Sequence, residues 1–503
     1  MSNWFRQRSL PAALSMKPNL SFFKAVGIVA TAIVATAATS QLEAAFYDKP
    51  VTGAPPPEAS ESSLSGWWNG KYATGNWFGV RDTLEDHGLK LGGRWIGVYY
   101  GVVDGGKSGF RGSYFDEEIK FTGELDFAKA TGWEPLAGLR AFGEVRWRDG
   151  LNPNLRVGAS GNFQPSHFQS GKQWRLMTFG LSYATPELFG VKEFLTLTGG
   201  WLQPQKEFID QPLSKQFVNN SFESSKGIGA NIPFSSSFST WGGTLKIKPV
   251  EWHYIKGGLF MSYPQATSTD NHGIAFEGFG RDPSLNGLFA IGEIGFTPKI
   301  GPSKLAGKYA FGGFYYEEEN TSFFGTQYNG RYGFYWQADQ MLFREPSREE
   351  PASVVVAPSD GKSIADGKSG KTFQEPVAEK KPKLSDQGLY LFSLFTYAPK
   401  YNNILPFYFH TGLVYRGLIP TRDNDQLMVA FSFGQYSFFN IEALQQAGNV
   451  NQPNYTGVLE VDYRIQINKW AYLQPYLQYI IQPNGTGAIE NATILGVMAG
   501  VTF

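Results

Sequence analysis

After residue 88 the chain mostly alternates apolar and polar positions. The clearest runs, in which every second residue is apolar and the residues between are mostly charged or polar, are residues 118–127, 139–148 and 455–468. A period of two predicts β-strands. Soluble strands average about 5–6 residues, whereas runs of about ten residues suit strands tilted across a bilayer.

About sixteen alternating segments can be counted. They start near Leu89, Glu118, Leu139, Trp174, Leu195, Ser239, His253, Phe289, Leu305, Arg331, Leu389, Phe407, Leu427, Tyr455, Tyr472 and Ala492. No stretch of residues 46–503 is apolar enough for a membrane-spanning helix, so a membrane protein with this pattern must be a closed barrel. The pattern predicts an all-β fold, a transmembrane antiparallel β-barrel of about 16 strands of the outer-membrane porin type.

The connections alternate in length, which agrees with such a barrel. Those after odd-numbered segments are mostly long (149–173, 202–238, 264–288 and 434–454), and those after even-numbered segments are mostly short (249–252 and 469–471). Outer-membrane barrels have long outer loops and short periplasmic turns. Residues 345–385, rich in Pro, Lys, Glu and Ser, break this rule and predict a disordered insertion on the periplasmic side.

Residues 1–45 read as a signal peptide. Four basic residues precede an apolar run of small residues from 25 to 38, which is too short for a bilayer span of about 20 residues. Residues 46–88 predict a periplasmic linker with a short helix from Val80 to His87, stopped by Gly88. The barrel is expected over residues 89–503.

The chain ends in an alternating strand, residues 495–503, that closes with Phe503. A last outward-facing strand with a terminal Phe resembles the assembly signal of bacterial outer-membrane barrels. The expected partners are therefore outer-membrane lipid and, through Phe503, the barrel-assembly machinery, with a homotrimer as a candidate assembly beside the monomer.

Composition narrows the function. Charged residues are 17% of the chain against about 25% in soluble proteins, and aromatic residues are 16%. With no Cys there is no disulfide framework and no thiolate metal site. A net charge of zero argues against nucleic acid as a partner. No cofactor and no metal are expected.

Two sequence features resemble nucleotide-binding or catalytic sites, but neither has the surrounding pattern that such a site requires. The run GVVDGGKS from Gly101 to Ser108 matches a phosphate-binding loop, but no helix pattern follows it, and the mechanism requires one. The five His residues lack ligand spacing, and no G-x-S-x-G motif is present. The sequence therefore favours a protein that is not an enzyme.

The most charged predicted lumen faces belong to segments two, three, fourteen and fifteen, which neighbour one another when segment sixteen closes onto segment one. The candidate pore-lining and substrate-binding residues are Glu124, Asp126, Arg140, Glu144, Arg146, Arg148, Glu460 and Arg464, with Trp174 as a weaker candidate for a stacking platform. An alternative is that these charges only satisfy one another in a polar interior. Carboxylates and guanidinium groups pair with vicinal hydroxyls, and their mixed sign suits neutral polar solutes.

Four stretches resemble the carbohydrate-selective porins of the OprB family. They are residues 76–88 (NWFGVRDTLEDHG), 340–346 (QMLFREP), 415–420 (YRGLIP) with Arg422 and Asp425, and 460–464 (EVDYR) running on to 473–485 (LQPYLQYIIQPNG). The resemblance spans about residue 76 to the end. It implies a sixteen-stranded outer-membrane barrel that passes sugars by diffusion, without turnover. The chain departs from the family in the long insertion 345–385.

The function that we expect is passive diffusion of mono- or oligosaccharides through an outer-membrane porin. A general or ion-preferring porin is one alternative. A structural or adhesive barrel with a plugged lumen is another, from a different class.

Overall fold

The structure, a computed structural model, describes residues 64–107, 112–150, 157–159, 162–168, 172–223, 226–262, 287–346 and 385–503. The signal peptide predicted over 1–45 and most of the insertion predicted over 345–385 lie outside these residues. The segment before the barrel is described from Leu64 onward.

Sixteen strands form the wall of a closed barrel. They are β1 (Leu89–Gly106), β2 (Ser113–Asp126), β3 (Leu139–Gly150), β4 (Gln173–Ala184), β5 (Leu195–Leu202), β6 (Thr240–Val250), β7 (His253–Ser262), β8 (Gly287–Phe296), β9 (Leu305–Tyr316), β10 (Arg331–Arg344), β11 (Gly388–Tyr397), β12 (Phe407–Arg416), β13 (Gln426–Gln435), β14 (Tyr455–Gln466), β15 (Ala471–Ile481) and β16 (Glu490–Thr502). Three further strands, Lys299–Ile300, Asn320–Thr321 and Gln327–Tyr328, are only two residues long.

Each barrel strand pairs antiparallel with its neighbours in the chain, and β1 also pairs with β16, with Tyr99 opposite Val497. This ring leaves no free edge, so every strand finds hydrogen-bond partners on both sides. The predicted strand number and the predicted antiparallel barrel are confirmed.

The outer and inner faces of the wall differ as the alternation predicts. Large apolar side chains such as Phe311, Phe334 and Leu413 are exposed on the outside, whereas the alternate positions are buried or polar. An exposed apolar band is what a strand in contact with lipid requires.

The two ends of the barrel are unlike. At one end, here called the turn end, β6 and β7 are joined by two residues and β14 and β15 by four. At the other end, the loop end, most connections are longer. The connection from β5 to β6, of which residues 203–223 and 226–239 are described, folds into the barrel; these described residues are called the inward loop below.

Six α-helices are present in the described residues: α1 (Leu64–Asn69), α2 (Val80–Asp86), α3 (Phe127–Thr131), α4 (Pro204–Phe208), α5 (Lys226–Gly229) and α6 (Phe438–Gln446). The helix predicted from Val80 to His87 is α2, with His87 at its C-terminal cap. Gly79 precedes it with a φ of 91°, a left-handed value that glycine adopts readily. Ala73 N–H donates to the carbonyl of Thr502, which places this segment at the turn end.

None of the helices in the described part of the chain is long and apolar enough to cross a membrane. The phosphate-loop match also has a plain explanation, because Gly101 to Gly106 are the last residues of β1.

Candidate functional site

The inward loop packs against β11 to β15 and fills that side of the lumen. Its apolar residues Phe217 and Phe222 are fully buried, and the Phe217 ring lies 5.5 Å from the ring of Phe392 on β11. Burial of each such ring contributes about 1.5–3 kcal/mol. The core of this protein therefore lies inside the barrel and to one side of its axis.

Polar contacts attach the middle of the loop to β12 to β15. The N–H groups of Val218 and Asn219 donate to the Glu460 carboxylate at 2.6 and 2.9 Å. The Ser432 hydroxyl on β13 bonds that of Ser221 at 2.7 Å. Asn219 Nδ2 donates to Gln478 on β15 at 3.1 Å. Because these groups are buried and need protein partners, their hydrogen bonds hold the loop in position.

The two ends of the loop are held by charged side chains of the opposite wall. Arg146 on β3 donates to the hydroxyl of Ser237 at 2.8 Å, and Arg175 on β4 donates to the Ser237 carbonyl at 2.7 Å. Lys256 on β7 forms an ion pair with Glu207 at 2.8 Å. The loop thus spans the lumen from wall to wall.

Between the loop and the wall an open polar cavity of about 550 Å³ remains. Its charged lining consists of Arg94, Lys120, Arg146, Arg148, Lys206, Lys215, Arg416, Arg464, Glu118, Glu144, Asp210 and Glu223, with His167 beside them. Two neighbouring cavities of about 440 and 520 Å³ continue it along β2 to β7, and adjacent cavities share lining residues. Together they form a polar path beside the inward loop.

Glu118 on β2 is the centre of the charge network in this wall. Its carboxylate pairs with Arg148 at 2.7 Å, with Arg94 at 2.8 Å and with Arg146 at 3.7 Å. Its side chain is 1% exposed. One buried carboxylate therefore balances three guanidinium groups, and a buried ion needs such partners to offset its desolvation.

A second carboxylate, that of Glu144 on β3, is shared by two ammonium groups. Lys120 approaches one of its oxygens at 2.9 Å and Lys206 of α4 approaches the other at 3.1 Å. Because Lys206 belongs to the inward loop, this pair also connects the loop to the wall.

Arg464 on β14 faces the same cavity from the opposite side. It donates to the amide oxygens of Gln474 and Gln216 at 2.7 and 3.1 Å, and its guanidinium lies 4.3 Å from the centre of the Tyr472 ring. Arg464 therefore combines a charge with an aromatic face, a combination that suits the hydroxyls and the apolar side of a pyranose.

Four of the residues that the sequence predicts to line the pore do line this cavity: Glu144, Arg146, Arg148 and Arg464. Glu124 and Arg140 instead line the neighbouring cavity of about 440 Å³ toward the turn end, where they form an ion pair of 3.2 Å. Their side chains are about half exposed.

Two of the residues predicted to line the pore, Asp126 and Glu460, lie outside the lining of these cavities. Asp126 caps α3, accepting from the N–H of Lys129 at 3.2 Å, and so stabilises the turn between β2 and β3. Glu460 is completely buried under the inward loop and anchors it. Both were expected to line the constriction, and neither lies in the lining of the three cavities.

The prediction that Trp174 faces the lumen is wrong. Its side chain is 48% exposed on the outer face, where its ring stacks 6.3 Å from Phe121. The register of β3 and β4 shifts at Met177, between the pairs Glu144–Thr178 and Val145–Leu176. This β-bulge inverts the alternation, so that Arg175 rather than Trp174 points inward.

Several contributors to the site are absent from the residues selected by sequence, among them Glu118, Arg94 and Lys206. Glu118 lies on the same face of the alternating run as the selected Glu124, so the alternation carried the signal that would have found it. Arg94 precedes a Trp in a run interrupted by glycines, and Lys206 lies in a loop without any period. Neither position has a sequence signal.

Two loop residues have shifted pKa values. Burial lowers the pKa of His167 to about 4, and its Nδ1 lies 3.1 Å from the carbonyl of Val218. Burial alone would raise the pKa of Glu223, but the Lys226 ammonium at 2.9 Å holds it well below its usual value. His167 is therefore neutral and Glu223 ionised near neutral pH.

Within the described ranges, no three His, Asp or Glu side chains converge in a way that could hold a metal ion. Most charged groups of the cavity are instead paired with one another or with neutral polar groups.

A sixteen-stranded antiparallel barrel, with a loop folded into its lumen and a polar path beside that loop, defines a porin. The family described as "Carbohydrate-selective porin, OprB family" matches residues 114–369 and 371–503. The chain belongs to this family, and it is a passive porin for carbohydrates.

Individual relatives are distant but match over most of their length. The chain is similar to Porin B of Pseudomonas aeruginosa, with 22% identity over 86% of this chain and 92% of the relative. The high-pH structure of Pseudomonas putida OprB is similar with a TM-score of 0.71, at 20% identity, over 88% of this chain and 100% of that one. Its low-pH structure gives 0.51 at 17% identity, covering 86% and 99%. These structures agree with the fold.

Proposed function

We propose that carbohydrates cross the outer membrane through the path beside the inward loop, and that the wall around Glu118 and Glu144 is the segment that sugars contact. The observation that carries the proposal is the cavity of about 550 Å³, which is lined by charged and amide side chains of the wall and the loop. The remaining lumen on the side of β11 to β15 is filled by packed side chains of the inward loop.

The chemistry of this wall suits diffusion rather than tight binding. Arg94, Lys120 and Lys206 offer N–H donors to sugar hydroxyls, and Gln216 and Gln466 offer amide groups. Each of these groups already has a protein partner, so a sugar would exchange one hydrogen bond for another at little net gain. Weak sites in series allow a solute to enter and to leave.

The export and assembly of the barrel form part of the same proposal. Residues 1–45 would direct export, and Phe503 would present the last strand to the barrel-assembly machinery. Phe503 supports this role by its position: its N–H and carbonyl both bond Gly93 at 2.8 Å, and its ring lies 5.8 Å from Phe121 on the outer face. A Cβ at Gly93 would lie 2.4 Å from that ring, so any other residue there would displace the ring. The homotrimer is a separate part of the proposal, and crosslinking of the protein in native membranes tests it.

The first test is swelling of liposomes that contain the purified full-length protein, in isosmotic solutions of neutral sugars. A carbohydrate pore gives swelling that is faster for a monosaccharide than for a large oligosaccharide. A structural or adhesive barrel with a plugged lumen gives no swelling and negligible conductance.

The second test separates a sugar pore from a general or ion-preferring porin. In planar bilayers, glucose or a disaccharide should interrupt the ion current of a sugar pore, because a bound sugar occupies the path. A current that high concentrations of neutral sugar leave unchanged would contradict sugar binding at this wall.

A further inference from the structure

In the main cavity, most of the carboxylates are less exposed than several of the cations. Eight Lys and Arg side chains line it against four Asp and Glu. Three of the carboxylates are nearly buried, since Glu118, Glu144 and Glu223 are 1%, 5% and 6% exposed, and the cations Arg146 and Arg148 are buried with them. Near them, the side chains of Arg94 and Lys206 are 41% and 52% exposed.

This arrangement makes the surface that a solute meets more positive than the count of residues suggests. A solute in the cavity meets more of the side chains of Arg94, Lys120 and Lys206, which are 41%, 22% and 52% exposed, than of the carboxylates with which they pair. Coulomb energy falls with distance, so the nearer cations dominate the field. The fourth carboxylate, Asp210, is 29% exposed and is paired with Lys215.

The opposite side of the cavity adds positive charge without adding an exposed acid. Arg464 donates to amide oxygens of Gln474 and Gln216 rather than to a carboxylate. The cavity of about 520 Å³ that continues the path has four cations, Arg140, Lys192, Lys246 and Lys256, against three glutamates. The cavity of about 440 Å³ between these two is balanced, with three cations and three glutamates, so the positive excess lies in the main cavity and in the one of about 520 Å³.

We propose that this path prefers anionic carbohydrates, namely monosaccharides that bear a carboxylate, over neutral sugars of the same size. The preference rests on the carbohydrate function proposed above and refines it. The carboxylate of such a sugar would approach the exposed guanidinium and ammonium groups of Arg94, Lys120 and Lys206, while its hydroxyls bond the amides of the loop. Charge-assisted hydrogen bonds to a carboxylate are about twice as strong as neutral ones.

The test compares three probes on single channels of the full-length protein in planar bilayers: glucuronate, glucose and acetate. Interruptions of the ion current give the affinity of each. At about 0.1 M salt we expect glucuronate to bind roughly tenfold tighter than glucose, and this advantage should shrink at about 1 M salt, where charges are screened within about 3 Å.

The outcomes separate the two proposals. If glucose interrupts the current and glucuronate binds no better, the preference for anionic sugars is wrong and the carbohydrate function stands. If neither sugar interrupts the current, the proposed binding of carbohydrates at this wall is contradicted, and the preference for anionic sugars falls with it. If acetate binds as well as glucuronate, the cavity is a general anion site and the preference is again wrong.

Substitutions locate the effect. Lys206→Gln should lower the advantage of glucuronate over glucose by about fivefold, since it removes one exposed charge near the path. Lys206→Arg should retain the advantage. Lys172→Gln is the matched control, because Lys172 pairs with Asp149 away from the cavity lining and is 77% exposed. An equal loss in the control and in Lys206→Gln would contradict the assignment to this wall.

Discussion

The backbone N–H of Val218 donates a hydrogen bond of 2.6 Å to Oε1 of Glu460. This bond joins the inward loop to the barrel wall across 242 positions of the sequence. Since both groups are buried, neither has water to replace its partner. The Glu460 carboxylate of β14 is therefore one of the groups that hold the loop in position.

Replacing that carboxylate should loosen the loop. Glu460→Ala leaves the N–H groups of Val218 and Asn219 without acceptors, at about 1–3 kcal/mol for each. We expect a larger and noisier single-channel conductance. Glu460→Gln keeps one amide oxygen as an acceptor and should have a weaker effect. Glu134→Gln, at an exposed turn, is the control. A conductance of Glu460→Ala identical to that of the parent would show that the loop is held elsewhere.

Glu118→Gln should change both selectivity and stability. Three guanidinium groups share this carboxylate, and removing one member of a buried ion network costs about 3–5 kcal/mol. The reversal potential in a KCl gradient should shift toward anion permeation, and the folded barrel should melt at a lower temperature in detergent. A shift toward cations would contradict the arrangement of charges described here.

Trp174→Ala should leave sugar transport unchanged, because Trp174 lies on the outer face and not in the pore. We expect sugar affinities within about twofold of the parent and a loss of about 1–2 kcal/mol of aromatic packing with Phe121. Current interruption by glucose and thermal melting measure the two effects. A large change in affinity would place Trp174 at the sugar path after all.

His167 should make the cavity sensitive to acid. Its pKa is about 6.5 when exposed and about 4 in the folded loop, because burial disfavours the charged form. The stability that the neutral ring contributes is complete above pH 6.5 and is lost as the pH falls from there toward 4. Glu223 stays ionised through this window because its pKa lies well below its usual value.

The measurement is the frequency of current fluctuations between pH 7 and pH 4. We expect it to rise in the parent and to rise less in His167→Gln, which cannot be protonated. An equal rise in both proteins would assign the acid sensitivity to other groups.

The sequence predicts the wall of the barrel because each strand repeats a local rule. Alternation locates all sixteen strands, and Arg146 and Arg148 face inward as their positions imply. The rule fails at a β-bulge. The extra residue Met177 exchanges the inward and outward faces of β4, and a single-residue bulge cannot be recognised from the alternation of the sequence.

The inward loop could not be predicted in the same way. Its position depends on contacts between residues more than 200 positions apart, such as Gln216 with Arg464. No periodic pattern encodes such contacts. For the same reason Glu460, which shares a strand face with the pore-lining Arg464, appears from sequence to line the pore although the loop covers it.

The loop that fills the lumen beside β11 to β15 also separates two properties that strand number usually links. The circumference of the barrel is fixed by sixteen strands, but the aperture is fixed by how the inward loop packs against one wall. Changes confined to this segment could narrow or widen the sieve while the scaffold in the lipid stays the same. Selection can therefore retune what passes through this protein without rebuilding the barrel.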